Sequence, residues 1–204
     1  MPKVKICGIT QPQQAREISL AGADYIGVVL YPKSPRYTDL EKVKEIKKAV
    51  VEPTKLVAVV VNPDLDLCKR LLELVDIIQF HGDEDLEFIK QFPKDRVIKA
   101  FRIKDEKDIE KLKPFIEEGY LILIDAYKDG EYGGTGNQVD LGLLKEVCSV
   151  SDKIIVAGGL SDENIGNILR EINPFGVDAS SKLEISPGIK DIDRVKRFIK
   201  VIKG

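Results

Sequence analysis

The chain has 204 residues, of which 43% are hydrophobic, enough for one sizeable core, and nothing divides it, so we expect one domain over residues 1–204. Its 32 basic and 34 acidic side chains nearly cancel to a formal net charge of −2. This balance, spread without long blocks, argues against a nucleic-acid or membrane-surface partner.

The N-terminal segment indicates a cytoplasmic protein. The first strand-like run begins within a few residues of Met1, which leaves no room for a signal peptide. No apolar run approaches the roughly 20 residues of a membrane span. We therefore expect no membrane partner.

Cysteine and histidine usage argues against disulfides and metal sites. Cys7, Cys68 and Cys148 lie far apart with no CxxC pair, and His81 is the single histidine. We expect neither a disulfide framework nor a bound metal.

Short runs rich in β-branched residues predict strands at residues 4–7, 25–30, 56–61, 77–80, 97–101, 120–124, 154–157 and 175–178. Helical stretches lie between and after them. Residues 165–172 and 192–202 carry apolar side chains at the spacing of one buried helix face. Thr10 with Gln13 and Thr38 with Glu41 fit capping boxes, which predict that these threonines cap the first two helices.

The repeated strand and helix predict an α/β fold, a (β/α)8 TIM barrel. The strands are near-continuous apolar runs, as expected when both faces of a parallel sheet are covered. An open doubly wound sheet is the alternative, but a chain of this length with that fold would usually contain fewer and longer strand–helix units. The chain length is near the lower limit of the barrel fold, about 200 residues, so most connections must be short. The exception is residues 126–139, polar and glycine-rich, either a mobile lid or a disordered surface excursion.

Catalytic groups of such barrels stand at the C-terminal ends of the strands. The residues that follow the predicted strands are polar and specific: Cys7, Arg36, His81, Gly82, Asp125, Gly158, Gly159, Asp178, Ser180 and Ser181. Loops after strands seven and eight commonly bind phosphate, so the two glycines at 158–159 and the two serines at 180–181 predict a phosphate site.

Cys7 is either a buried apolar thiol or a base that faces a ligand, and its place at a strand end beside Gly8 favours the second interpretation. With an ordinary pKa only about 3% of a thiol is ionised at pH 7, so a working base would benefit from nearby N–H groups or a cation. Asp125 ends an apolar strand, where burial can raise the pKa of a carboxyl and make it an acid; a helix cap or ion pair is the alternative.

Arg36 follows Pro32 and Pro35, which restrict a loop that can present its guanidinium to a carboxylate or phosphate; the alternative is an ordinary surface arginine. His81 is a substrate donor or a structural hydrogen-bonding group, and the sequence leaves both open.

The motifs KICGIT, YPKSPRY, QFHGDE, LILIDA, EYGGTG, AGGL, GVDASS and PGIKD occur in this order. Together they resemble the phosphoribosylanthranilate isomerases over residues 3–191, essentially the whole chain. The resemblance implies a TIM barrel of tryptophan biosynthesis that isomerises N-(5-phosphoribosyl)anthranilate without a cofactor or metal. It implies that Cys7 is the general base, Asp125 the general acid and Arg36 the group that holds the anthranilate carboxylate. Gly158, Gly159, Ser180 and Ser181 match its phosphate-binding turns.

We further expect the phosphosugar substrate to contact His81 and Asp178, and the protein to be a monomer or a homodimer. Lys182 departs from the family, which more often has glycine there, and puts phosphate affinity in doubt. A related phosphosugar isomerase of histidine biosynthesis and an indoleglycerol phosphate synthase are alternatives. The pairing of Cys7 with Asp125 argues against both, although Asp178 leaves a bifunctional isomerase conceivable. A phosphate-binding barrel without turnover is the alternative outside enzymes.

Overall fold

The computed structural model describes residues 1–125 and 141–204. Eight parallel strands pair in sequence order and close into a barrel, with β1 hydrogen-bonded to both β2 and β8. The strands are β1 Lys3–Cys7, β2 Tyr25–Val29, β3 Lys55–Val60, β4 Ile77–Phe80, β5 Val97–Arg102, β6 Leu121–Asp125, β7 Ile154–Ala157 and β8 Gly176–Ala179. The predicted TIM barrel is confirmed, and each predicted strand overlaps an observed one.

Helices cover the outside of the barrel. They are α1 Pro12–Leu20, α2 Leu40–Ala49, α3 Leu65–Leu74, α4 Leu86–Ile89, α5 Lys113–Glu117, α6 Leu141–Val150, α7 Ile165–Glu171 and α8 Ile192–Lys203. Short 3₁₀ helices span Lys94–Arg96, Glu106–Leu112 and Ser181–Leu183, and a hairpin of β9 Glu184–Ser186 and β10 Ile189–Lys190 precedes α8.

The hydrophobic residues form two layers, because every strand presents alternate side chains to the barrel interior and to the helices. The inner layer packs Tyr25, Val57, Ile77, Ile98, Ala100, Leu123, Ile155 and Ala157 against one another. The outer layer joins the other strand faces to the buried faces of the helices, including Ile165 and Ile168 of α7 and Val195, Phe198 and Ile199 of α8. The strands are therefore buried on both faces, as their apolar runs predicted.

The two predicted capping boxes are wrong. The hydroxyl of Thr10 donates to the Gly188 carbonyl oxygen at 2.7 Å, and α1 begins after Gln11. The hydroxyl of Thr38 donates to the Val29 carbonyl oxygen, while the Asp39 side chain caps α2. Thr10 instead ties the loop after β1 to the turn of the β9–β10 hairpin, and Thr38 ties the loop after β2 to that strand.

Within residues 1–125 and 141–204, no helix is both long and apolar enough to cross a bilayer.

Candidate active site

One cavity of about 900 Å³ opens at the C-terminal ends of the barrel strands. All ten residues singled out after the predicted strands line it: Cys7, Arg36, His81, Gly82, Asp125, Gly158, Gly159, Asp178, Ser180 and Ser181. The barrel therefore brings together residues that lie up to 174 positions apart in the chain, the separation of Cys7 and Ser181.

Cys7 is the last residue of β1, lines this cavity and is 9% exposed. Burial raises the pKa of its thiol, although the nearby ammonium groups of Lys5 and Lys190 oppose the rise. Gly27 of β2 makes room for the sulfur, since a Cβ at Gly27 would lie 2.8 Å from Cys7 Sγ. A side chain on β2 would therefore displace the thiol.

Asp125 ends β6, lines the same cavity and is partly buried. Burial raises the pKa of its carboxyl, and the negative charge of Asp178 raises it further. The charge of Arg102, its register neighbour on β5, works in the opposite direction. A raised pKa favours the protonated carboxyl that a general acid requires.

Arg36 reaches the cavity from the loop after β2, and its stem crosses over Gly8. Gly8 has a φ of 82°, and a Cβ there would lie 2.5 Å from Arg36 Cδ, so only glycine allows this path. Arg36 Nε donates to Glu184 Oε1 at 2.8 Å and Nη2 donates to Glu184 Oε2 at 2.6 Å. These bonds use one side of the guanidinium, and the side formed by Nη1 and the second Nη2 hydrogen is the part that can bind an anion.

Lys190 of β10 joins Glu184 to the serine turn. Its Nζ donates to Glu184 Oε1 at 2.7 Å and to the Ser180 carbonyl oxygen at 3.2 Å. The Ser180 hydroxyl in turn donates to the Cys7 carbonyl oxygen at 3.0 Å. The hydrogen of this hydroxyl is thus already used within the protein, and a phosphate would meet the other polar groups of the turn.

The other residues predicted to bind phosphate lie on two neighbouring turns. Gly158 and Gly159 follow β7 with φ values of 100° and 65°, and the Asn164 side-chain amide donates to the Gly159 carbonyl oxygen at 2.9 Å. Ser181 begins the 3₁₀ helix Ser181–Leu183 after β8. Lys182, the departure from the family pattern, is exposed at the cavity edge. It therefore adds a positive charge beside the serine turn.

His81 follows β4, and its Nδ1 lies 3.1 Å from Gln79 Nε2. Burial lowers the pKa of His81 to about 4, and the charges of Arg102, Lys5 and Lys99 add to this effect. The imidazole is therefore neutral at pH 7. Within the described part of the chain, His81 Nε2 and Gln79 Oε1 are buried without a hydrogen-bond partner. Each atom therefore has an unused hydrogen-bonding position in a residue that lines the cavity.

A buried ion pair holds the loop that carries His81. Lys99 Nζ lies 3.0 Å from Glu84 Oε2, and both side chains are 3% exposed. Glu84 also accepts from the backbone N–H groups of Asn62 and Gly82. The pair therefore joins the loops after β3 and β4.

Asp178 of β8 accepts a hydrogen bond from Lys5 Nζ at 3.1 Å, so part of this predicted substrate contact is used by the protein. Sequence reasoning missed Lys5, Glu184, Lys190 and the Lys99–Glu84 pair. The signal for Lys5 was its position two residues before Cys7, which places both side chains on one strand face. Glu184 and Lys190 follow the serine turn closely, but no local pattern relates them to Arg36.

Two further predictions concern the long loop and the absence of a bound metal. The loop at residues 126–139, with the motif EYGGTG, lies outside the described residues. In the described ranges, no group of three or more His, Cys, Asp or Glu side chains has an arrangement that could hold a metal ion.

The chain matches the family model for N-(5′-phosphoribosyl)anthranilate (PRA) isomerase over residues 4–201. It belongs to this family.

A relative from Sulfurihydrogenibium sp. (strain YO3AOP1), an N-(5′-phosphoribosyl)anthranilate isomerase, is 61% identical over 201 residues, which are 98% of each chain. The solved phosphoribosyl anthranilate isomerase of Thermotoga maritima is 35% identical, with a TM-score of 0.91 and complete coverage of both chains. A second solved isomerase, in complex with reduced 1-(o-carboxyphenylamino)-1-deoxyribulose 5-phosphate, is 32% identical, with a TM-score of 0.88 and the same coverage. The family assignment implied by the sequence motifs is thus confirmed.

Proposed function

We propose that this protein catalyses the Amadori rearrangement of N-(5-phosphoribosyl)anthranilate to 1-(2-carboxyphenylamino)-1-deoxyribulose 5-phosphate in tryptophan biosynthesis. The observation that carries the proposal is that Cys7 and Asp125 line one cavity, in a chain of the PRA isomerase family. The reaction needs one acid and one base, and these two side chains have the matching chemistry.

In the first step Asp125 donates its proton to the ring oxygen of the aminofuranose. The bond between this oxygen and C1′ breaks, and the nitrogen lone pair forms the C1′=N bond of a Schiff base. The raised pKa of Asp125 supports the step, because burial and the charge of Asp178 keep its carboxyl protonated to higher pH.

In the second step Cys7, as the thiolate, removes the proton from C2′. The electron pair of that C–H bond forms a C1′=C2′ bond and neutralises the iminium nitrogen. The enolamine then moves its O2′ proton to C1′ and becomes the ketone. A proton passes through solvent from the Cys7 thiol to the Asp125 carboxylate, which restores both groups.

The remaining site residues bind and orient the substrate. We assign the anthranilate carboxylate to Arg36, whose direction is set by Glu184. We assign the phosphate to the turns at Gly158–Gly159 and Ser180–Ser181. His81 and Asp178 face the sugar between these ends, and we expect them to contact its hydroxyl groups. Positioning of this kind contributes to the rate together with the two proton transfers.

The test mixes purified protein with freshly made phosphoribosyl anthranilate and follows the loss of anthranilate fluorescence. We expect turnover by the natural protein and a fall in kcat of at least ~10²-fold in both Cys7→Ser and Asp125→Asn. Arg36→Ala should chiefly raise KM, because it removes a charged contact rather than a proton-transfer group.

Matched controls come from residues of the same type away from the cavity. Cys148→Ser on α6 and Asp66→Asn on α3 should keep full turnover. A protein that binds the substrate without consuming it would be a binding module, and near-full turnover by Cys7→Ser would overturn the assignment of the base. Sedimentation of the same preparations measures whether the protein is a monomer or a homodimer.

A further inference from the structure

A lysine side chain lies inside the barrel, where the proposed mechanism has not used it. Lys5 is on β1 two residues before Cys7, and its side chain is 1% exposed. Long cationic side chains are almost never fully buried unless they are paired. We therefore infer the role of Lys5 from the groups that its ammonium contacts.

Lys5 lies close to two acidic groups. Its Nζ donates to Asp178 Oδ1 at 3.1 Å, and the Cys7 thiol lies on the same face of β1, near enough for its charge to act on the ammonium. Gly27 leaves space for both groups, because a Cβ at Gly27 would lie 3.1 Å from Lys5 Nζ and 2.8 Å from Cys7 Sγ. Lys5 thus links the proposed base to a carboxylate on the neighbouring strand.

The charges around Cys7 show why this link matters. Lys5 on β1, Lys190 on β10 and Arg36 on the loop after β2 are positive, while Asp178 on β8 is negative. Burial raises the pKa of the thiol, and Asp178 adds to the rise. Lys5 opposes both effects, because its positive charge lowers the pKa of the thiol and its Nζ is hydrogen-bonded to Asp178.

Lys5 keeps its proton in this setting. Burial works to lower its pKa, but the negative charge of Asp178 and the charge on Cys7 outweigh burial and raise it. The group is therefore a fixed cation beside the sulfur and not a second acid or base.

We propose that Lys5 is a positioning residue for the general base: its buried ammonium holds the Cys7 sulfur and Asp178 together and stabilises the thiolate that removes the C2′ proton. The proposal rests on the proposed function, which requires this thiolate. When the proton moves from C2′ to sulfur, Lys5 neither gains nor loses a proton, and its charge stays balanced by Asp178.

The test measures the thiolate directly. The rate of Cys7 alkylation by iodoacetamide is followed against pH, with peptide mass spectrometry to separate Cys7 from Cys68 and Cys148. Lys5→Met should move the midpoint of the Cys7 profile up by at least about one pH unit. It should also lower kcat by at least ~10²-fold. The Kd for reduced 1-(o-carboxyphenylamino)-1-deoxyribulose 5-phosphate should change by less than about threefold, since the effect is on proton transfer.

A second pair of variants keeps the test valid if Lys5→Met does not fold with Asp178 left uncompensated. Asp178→Asn is compared with the double variant Lys5→Met/Asp178→Asn, in which both buried charges are absent. The proposal expects a higher alkylation midpoint in the double variant than in Asp178→Asn. Lys3→Met is the control on the same strand, where the lysine pairs with Asp24 at the other end of the barrel, and should leave the midpoint unchanged.

Equal alkylation midpoints in Asp178→Asn and the double variant would overturn the role of Lys5. This result is distinct from failure of the proposed function, which would show as no turnover of phosphoribosyl anthranilate by the natural protein while the alkylation midpoints still differ.

Discussion

Arg36 and Glu184 form a bidentate ion pair across the mouth of the barrel, with Nη2 to Oε2 at 2.6 Å and Nε to Oε1 at 2.8 Å. Hydrogen bonds from Arg36 and Lys190 lower the pKa of Glu184 overall, although its burial works in the opposite direction. Glu184 therefore stays ionised at neutral pH and fixes the plane of the guanidinium. The ion pair with Glu184 therefore also fixes the direction of the unpaired edge of the Arg36 guanidinium. A fixed direction is needed to form two parallel hydrogen bonds with a planar carboxylate.

Glu184→Gln should weaken substrate binding through Arg36. The amide keeps the shape of the side chain but loses the charge, so Arg36 loses its fixed direction. We expect KM to rise at least about tenfold with kcat within about threefold of the natural value, since the loss of a charged hydrogen bond costs about 1.5–3 kcal/mol. Steady-state kinetics measures both values. Glu45→Gln on α2 is the control, and a collapse of kcat at unchanged KM would contradict the positioning role.

Gly27→Ala should impair turnover without unfolding the barrel. The new Cβ would lie 2.8 Å from Cys7 Sγ and 3.1 Å from Cys7 Cα, so the thiol must shift. A misplaced base loses rate steeply, and we expect kcat to fall at least tenfold. Gly166→Ala in α7 is the matched control, because its Cβ would lie 3.3 Å from a side-chain methyl of Val201 and not against a proposed catalytic group. Equal kcat values for the two variants would show that the thiol tolerates the displacement.

The barrel could be predicted from the sequence because its strands are buried on both faces. Each strand then reads as a continuous apolar run, and the residue after each run marks the end of the barrel where the cavity lies. Cys7, Asp125 and His81 could be predicted as site residues because each stands at the end of such a run. They lie at one cavity because the sheet closes.

The contacts that the sequence could not predict are long-range. Thr10 bonds Gly188, 178 residues away, in preference to the local helix start that its capping-box pattern suggested. Arg36 and Glu184 are 148 residues apart. No local periodicity encodes such pairs. Lys5 escaped attention because a charged residue in a strand is usually exposed, and only the inward direction of Cys7 reveals that Lys5 shares the interior.

Breaking the Lys99–Glu84 pair should be strongly destabilising, whereas removing both charges should not. Glu84→Gln alone leaves the Lys99 ammonium buried and uncompensated, and we expect a loss of about 3–5 kcal/mol in the free energy of unfolding. Lys99→Met/Glu84→Gln should lose less than the sum of the single changes. Urea unfolding of the four proteins measures the coupling. In the exposed pair of Lys44 and Glu41, Glu41→Gln should cost less than about 1 kcal/mol. Additive single effects at Lys99 and Glu84 would argue against the pair.

His81 should make the protein less stable in acid. Its pKa is lowered from 6.5 to about 4 in the folded state, so the unfolded chain binds a proton more readily than the folded one below pH 6.5. The contribution of His81 to stability is complete above pH 6.5 and is lost as pH falls through 4. A shift of this size corresponds to about 3 kcal/mol.

The measurement compares urea unfolding of the natural protein and His81→Asn at pH 7 and pH 4. The asparagine keeps an acceptor near Gln79 but does not titrate. Because both proteins have the same carboxyl groups, the difference between their losses of unfolding free energy isolates the effect of the imidazole. We expect the natural protein to lose about 3 kcal/mol more than the variant over this range. Because the chain has one histidine, its imidazole also gives a single proton NMR titration, with an expected midpoint near 4. Parallel losses of stability, together with an NMR midpoint near 6.5, would mean that water reaches the imidazole and that burial does not hold it neutral.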